Sequence, residues 1–515
     1  MWRILLVLSA AAACAAEKVE VLRDEYGVAH IFAQTAPGAA YGSGYAQAAD
    51  RLEELLRDLR RADGNSAGDD ARIAKDHYSE LAPNIRAIVE AFCSGVNRYI
   101  YEHPRQRAFK VEPWMIVAYS RYVLGDYTPT APTPVSSNEM LIGPSRTASK
   151  AVIAIIDPHG SWYGETRLYA MCAYGGELAW CGSARVGLPF PTAGHGYNVS
   201  IAITPGGPAT PYQNEFRMLE QAWAMITAKN LGEIKKALAM RQYGASNIMV
   251  GTADGDIFKI RDGGAQTINP PKGYLYNPER TPLHQRAAMT SAQLQETESL
   301  TLEQAANLAF STEVYRAQAW QARIAKAAPG SEFARMLTGW SRRSDADSRP
   351  ALAFYLFKTA LGEAASAIEP PESLSDDRIR AALRKAQDRL ETEFPFQAAY
   401  GTLFRVGRDG SARSYPVGGG TMAEAGMATP RAIDFERRGN IMMGAGGQSA
   451  TQIVQLSRPP KSYMVMPLGE SDDPKSPHFD DQAAKLFSKA RAASTYFGDR
   501  KELEKHVKER KELVF

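Results

Sequence analysis

The stretch TPVSSNEMLIG (133–143) sets two hydroxyls and a carboxamide side by side at the mouth of an apolar run. A serine hydroxyl carries out acyl transfer only when a base stands ready for its proton and donors meet the oxyanion. The chain offers candidate helpers at a distance: His159 in IIDPHGSWYGETRLY, the glycine-rich PTAGHGYNVSIAIT, and Asn247 in GASNIMVGTADGDI. Singly, each has an ordinary structural role. Read alone, Ser137 would cap a turn, His159 would donate to a carbonyl, and Asn247 would satisfy a strand end.

Other chemistries lack their signatures. No G-x-S-x-G, H-E-x-x-H or G-x-x-x-x-G-K-[ST] pattern occurs, and the acids of DADSRP and TADGDIF complete no calcium loop. The eight histidines are scattered without metal-ligand spacing. A formal charge of +3, with lysines and arginines interleaved among acids, argues against nucleic acid. No cofactor is expected.

The elements that must position these residues follow from pattern. With 44% apolar and 23% charged residues in 515, the chain is ordered and long enough for a large core. MWRILLVLSAAAACAAE reads as a secretory signal over residues 1–16, its apolar core too short for a stable membrane span. Cys14 inside the small-residue run would allow lipid attachment, for which nothing else argues. Two short strands are expected around Gly27. Helices follow from about Pro37, over 80–103 and near 112–125, before the Pro/Thr linker GDYTPTAPTPV delivers the chain to Ser136 and Ser137. Beyond it, EMLIG, AVIAII, TRLYAMCAY, ELAWCG, YNVSIAIT and NIMVGTADGDIFKI read as strands, with one helix over 217–241. A mostly helical region over about 299–408 precedes strands at 447–456 and 461–467. The final KELEKHVKERKEL reads as the solvated face of a helix. Cys93 reads as inert core, whereas Cys172 and Cys181 suit a cross-strand disulfide or two buried thiols equally. No later segment reads as a transmembrane anchor.

Seven blocks in order, EVLRDEYGVAHIFA, YGSGYAQAADR, SSNEMLIG, DPHGSWYGETRLY, NIMVGTADGDI, NPPKGYLYNPE and PLGESDDPKSPHFDDQA, resemble the penicillin acylase type of N-terminal nucleophile hydrolase. The acyl-homoserine lactone and aculeacin acylase branch is the most similar. The resemblance implies an α+β fold with a four-layer αββα core, here with a helical N-terminal segment and a helical insertion. It implies self-cleavage before Ser137, giving a region 17–136 and a region 137–515 that stay together as partner fragments. It implies His159 as an orienting residue, Asn247 as a side-chain oxyanion donor, and an N-acylated small molecule or peptide-like amide as substrate, in the periplasm or outside the cell.

Three departures stand against that pattern. Ser136 replaces the usual glycine before the nucleophile, and Glu139 replaces a small or apolar residue. Pro205 follows Thr204, where a backbone N–H would complete the oxyanion hole, and proline has none. Gly206 or Gly207 would have to substitute. A degenerate, unprocessed homologue acting as a binding or scaffold protein is the alternative these departures support. Glu139 would either meet a cationic substrate group or point to solvent.

Overall fold

The computed structural model describes residues 16–62, 69–105, 108–126, 137–164, 167–205, 214–242, 246–261, 264–277, 285–362, 371–420 and 427–515. The expected leader up to residue 15, the Pro/Thr linker from 127 with Ser136, and Gly206 and Gly207 lie outside the described residues.

In chain order the strands are β1 (Lys18–Arg23), β2 (Ala29–Phe32), β3 (Asn138–Ile142), β4 (Ile153–Asp157), β5 (His159–Ser161), β6 (Leu168–Gly175), β7 (Leu178–Arg185), β8 (Ala193–His195), β9 (Val199–Pro205), β10 (Ser246–Thr252), β11 (Ile257–Ile260), β12 (Gln266–Ile268), β13 (Tyr274–Asn277), β14 (Phe404–Val406), β15 (Tyr415–Pro416), β16 (Ile433–Arg438), β17 (Ile441–Gln448), β18 (Thr451–Gln455), β19 (Lys461–Val465), β20 (Ala493–Ser494) and β21 (Glu509–Val514). The larger sheet runs β12-β11-β10-β9-β8-β7-β6-β2-β1-β21, and a second runs β13-β3-β4-β18-β19-β20. A third runs β15-β14-β17-β16, with β5 pairing to β17.

The period-two alternation of the strands sorts the side chains into layers. From β3 and β4, Leu141, Ala154 and Ile156 meet Ala202, Met249 and Ile257 of the larger sheet in one apolar cluster, so the two sheets face each other. Their neighbours Met140, Ile142, Ile153 and Ile155 point the other way, into a cluster with the helices of 302–392. On the far side of the larger sheet, Ile201, Ile203, Ile248 and Val250 join the core of α1 (Ala36–Ala62), α2 (Asp70–His77), α3 (Pro83–Glu102) and α4 (Pro113–Asp126). The result is a four-layer αββα body.

Sequence explains the helical layer closely. Pro83 opens α3 where its missing N–H costs nothing, and Ile85, Ile88, Val89, Phe92 and Val96 make its buried face. Gly44 of α1 and Gly95 of α3 let the two helices touch backbone to backbone. A Cβ on Gly44 would lie 2.1 Å from the Phe92 carbonyl oxygen, and one on Gly95 2.0 Å from that of Tyr41. Cys93 is buried in this layer, where burial pushes its thiol up.

Two expectations need correction. Residues 217–241 are not one helix: α5 (Met218–Ile226) stops, and α6 (Leu231–Ala239) restarts where the Asn230 side chain accepts from the Glu233 N–H. The KERKEL segment is not helical either. The helix Arg500–His506 ends, and Glu509–Val514 becomes β21, paired antiparallel along the whole of β1. Its charges face water while Leu513 is buried, so an edge strand imitates a solvated helix. The open question at Cys172 and Cys181 resolves to a disulfide between directly opposed residues of β6 and β7.

Candidate active site

Ser137 immediately precedes β3 and is 5% exposed. Antiparallel pairing sets Asn138 opposite Asp157 and Glu139 opposite Ile156, which carries the chain after β4 back past Ser137. There the His159 backbone N–H donates to Ser137 Oγ at 3.2 Å. The contact to the hydroxyl is thus made by main chain, while the imidazole is occupied elsewhere. Its Nε2 lies 3.0 Å from Asp157 Oδ2, and an Arg286 N–H donates to its Nδ1 at 2.9 Å. A guanidinium only donates, so Nδ1 accepts and the ring proton sits on Nε2, facing the carboxylate.

Asp157 is the hub of this arrangement. Oδ1 accepts from Thr451 Oγ1 at 2.7 Å. Oδ2 accepts from Gln448 Nε2 at 2.9 Å, from His159 Nε2, and from Asn138 Nδ2 at 3.4 Å. Asn138 also donates to the Pro430 carbonyl at 2.7 Å, and Gln448 to that of Ala309 at 2.9 Å. These bonds lie on the helical side of the sheet and fix the strand that presents Ser137. Each donor to a buried charge contributes about 1.5–3 kcal/mol. Arg286 is itself nearly buried, and burial lowers its pKa against the opposing pull of Asp157 and Asp434.

Asn247 belongs to the facing sheet. It lies opposite Thr204 across β9 and β10, on the same strand face as Met249, which meets the second sheet. Asn277 Nδ2 donates to Thr204 Oγ1 at 3.2 Å, and Asn277 is the cross-strand partner of Glu139. Register and this one bond bring Asn247 to the end of the sandwich where Ser137 lies. Pro205 closes β9 opposite Ser246. The structure therefore brings Ser137 and His159 into contact and holds Asn247 on the opposed sheet beside Thr204.

Glu139 does not point to solvent. It is 0% exposed, shares the inter-sheet face with Leu141, and neither carboxyl oxygen has a hydrogen-bond partner among the described residues. Burial pushes its pKa up to about 8, with nearby Lys259 pulling it down and Asp157 adding to the rise. Lys259 Nζ donates to the Tyr276 carbonyl at 2.8 Å. Sequence reading missed Asp157, Arg286, Gln448 and Thr451. Asp157 had a visible signal, an acid closing the apolar run AVIAII; the others come from segments over a hundred residues away. Among the described residues no group of three or more His, Cys, Asp or Glu could hold a metal ion.

Comparison with known proteins gives this geometry its context. The family model for penicillin amidase matches residues 18–210 and 264–501, most of the chain. The protein belongs to the penicillin amidase family. Family membership places it among the amidohydrolases of the N-terminal nucleophile type, which share the four-layer body described above. Among solved structures it is similar to a thermostable penicillin G acylase from Alcaligenes faecalis, at 12% identity and a TM-score of 0.48, over 72% of this chain and 98% of that one. Among the described residues no helix is long and apolar enough to cross a membrane.

Proposed function

We propose that the protein is exported, cuts its own chain between Ser136 and Ser137, and hydrolyses N-acyl amides through an acyl-Ser137 intermediate. The observation that carries this reading is the buried Ser137 at the head of β3, its hydroxyl held by the His159 N–H, in a chain of the penicillin amidase family.

The chemistry follows from what cleavage changes. Before it, the Ser137 nitrogen is an amide and accepts no proton. After it, the nitrogen is an α-amine with a reference pKa of about 7.7–8.0, able to take the hydroxyl proton near neutral pH. Oγ then attacks the substrate carbonyl, and the charge that develops on oxygen meets the Asn247 side-chain N–H. Loss of one such donor costs about 3–4 kcal/mol. The tetrahedral adduct collapses, the amine leaves with the proton, and water releases the acid from Ser137. His159 acts as a positioning residue: its N–H aims Oγ, while Asp157 and Arg286 hold its ring.

The regions 17–136 and 137–515 would remain one particle after the cut, because β1 and β2 lie inside the larger sheet between β6 and β21. Residues 1–16 would direct the protein to the periplasm or beyond. The acyl-homoserine lactone and aculeacin acylase branch is the proposed affinity, on the seven blocks taken together. Pro205 favours a second reading, an unprocessed binding or scaffold homologue, since the residue after Thr204 has no N–H to offer.

Intact-mass measurement with N-terminal sequencing separates the two. A fragment beginning SNEMLIG is expected, absent in Ser137→Ala, which should also lose turnover. An uncut S137A protein that still hydrolyses an N-acyl amide overturns the mechanism, and a single inert chain supports the scaffold.

A further inference from the structure

On the helical side of the second sheet lies a cleft of about 680 Å³ that the reaction above does not use. Arg431, Arg405, Arg343 and Lys489 line it, together with Asp345 and Asp347, and Phe310 and Pro416 give it an apolar wall. The four cations are not equally matched. Arg343 pairs with Asp345 at 3.2 Å, and Asp345 also accepts from Thr312 Oγ1. Arg405 spends its N–H groups on neutral acceptors, the Ser414 hydroxyl and carbonyl and the Gly401 carbonyl.

Arg431 is the unusual one. It is 1% exposed, it donates to the Phe487 carbonyl, and its guanidinium stacks 4.9 Å from the Phe487 ring centroid. Its Nε has no partner, and it makes no ion pair among the described residues. Burial lowers its pKa to about 10, with Asp345 and Asp157 acting against that fall. A guanidinium taken out of water without an acid carries a desolvation penalty of several kcal/mol. Here it forms part of the wall of a cleft in the size range of ligand sites, with a few convergent polar groups among apolar ones.

We propose that this cleft binds a small organic monocarboxylate, its acid group on Arg431 and Arg405 and its apolar body against Phe310 and Pro416. Guanidinium and carboxylate match in shape and charge, and the match is strongest away from water. A phosphate dianion is disfavoured, because Asp345 and Asp347 share the wall with only a modest cationic excess. The site is distinct from the reaction centre, since Glu139 and the inter-sheet face lie across the sheet. It nonetheless adjoins it in the chain: Pro430, next to Arg431, accepts the Asn138 side chain at 2.7 Å. The proposal goes beyond the amidohydrolase reading and does not depend on it.

Calorimetric titration of the full-length protein with acetate, hexanoate and benzoate, beside inorganic phosphate and benzylamine, tests it. Saturable one-to-one binding is expected for hexanoate or benzoate, at least tenfold weaker in Arg431→Gln of wild-type circular dichroism. Should Arg431→Gln fail to fold, two milder variants decide by sign: Lys489→Gln weakens the same binding two- to fivefold, and Asp347→Asn tightens it. No saturable carboxylate binding, binding indifferent to both charge changes, or phosphate bound as tightly as benzoate would overturn the proposal. So would a crystal structure with a carboxylate of the chain itself seated on Arg431.

Discussion

Asp157 and Glu139 are both fully buried, and both lie on the paired strands that carry Ser137, on opposite faces of one sheet. Asp157 receives four side-chain donors from three segments of the chain; among the described residues Glu139 receives none. Equal burial therefore produces opposite outcomes. A carboxylate with its donors in place converts desolvation into geometry, and the loops around Ser137 are built on it. A carboxyl without donors keeps its proton instead, and folding bears the cost of that.

The largest effect expected from this contrast is that of Asp157→Ala. Measured by urea unfolding in a Ser137→Ala background, so that every chain has one covalent state, it should lose about 3–5 kcal/mol, the scale for breaking a buried charged contact. In the Ser137 chain it should leave no fragment beginning SNEMLIG. An Asp157→Ala protein as stable as its parent breaks the comparison. Thr451→Val comes next, because it strips Asp157 Oδ1 of the one donor it has among the described residues; a loss of about 1.5–3 kcal/mol in the same assay is expected.

Glu139→Gln comes last, because its size depends on pH: close to nothing in acid and growing as pH rises above the unfolded value. The folded protein holds the Glu139 proton up to a pKa of about 8, whereas the unfolded chain releases it near 4.5. The stability tied to that proton is complete below the lower value and drains away as pH rises to the upper one, by at most about 1.4 kcal/mol per pH unit. The unfolding free energy of Glu139→Gln minus that of the parent should climb across this window and level off above it. A difference curve that is flat from pH 5 to 8 would mean that Glu139 is as well served as Asp157.

The same contrast explains how much was legible in the sequence. Strand β3 and its neighbour β4 were readable as apolar runs, and SSN placed the candidate nucleophile at their edge, because local pattern fixes local structure. Asn247 and Thr204 fall opposite each other for the same reason, through alternation along two strands. The donors around Asp157 were not readable, since Gln448 and Thr451 join it only after some 290 residues of intervening chain have folded. Burial of Glu139 was equally invisible: a lone acid in an apolar strand reads as a solvent-facing position until the second sheet is known to cover it. Strand β21 was lost to its own charges, which suit a sheet edge and a helix surface alike.

The pairing of β1 with β21 reaches further than sheet closure. Glu17 and Phe515 exchange both backbone hydrogen bonds, each at 2.9 Å, so the two ends of the described chain lie side by side. A circular permutant, joined there by a short linker and opened between 136 and 137, would be synthesised with Ser137 at its start once the initiator methionine is removed. Such a molecule would separate the proposed requirement for a terminal amine from the proposed act of cutting, which the natural order of the chain would tie together.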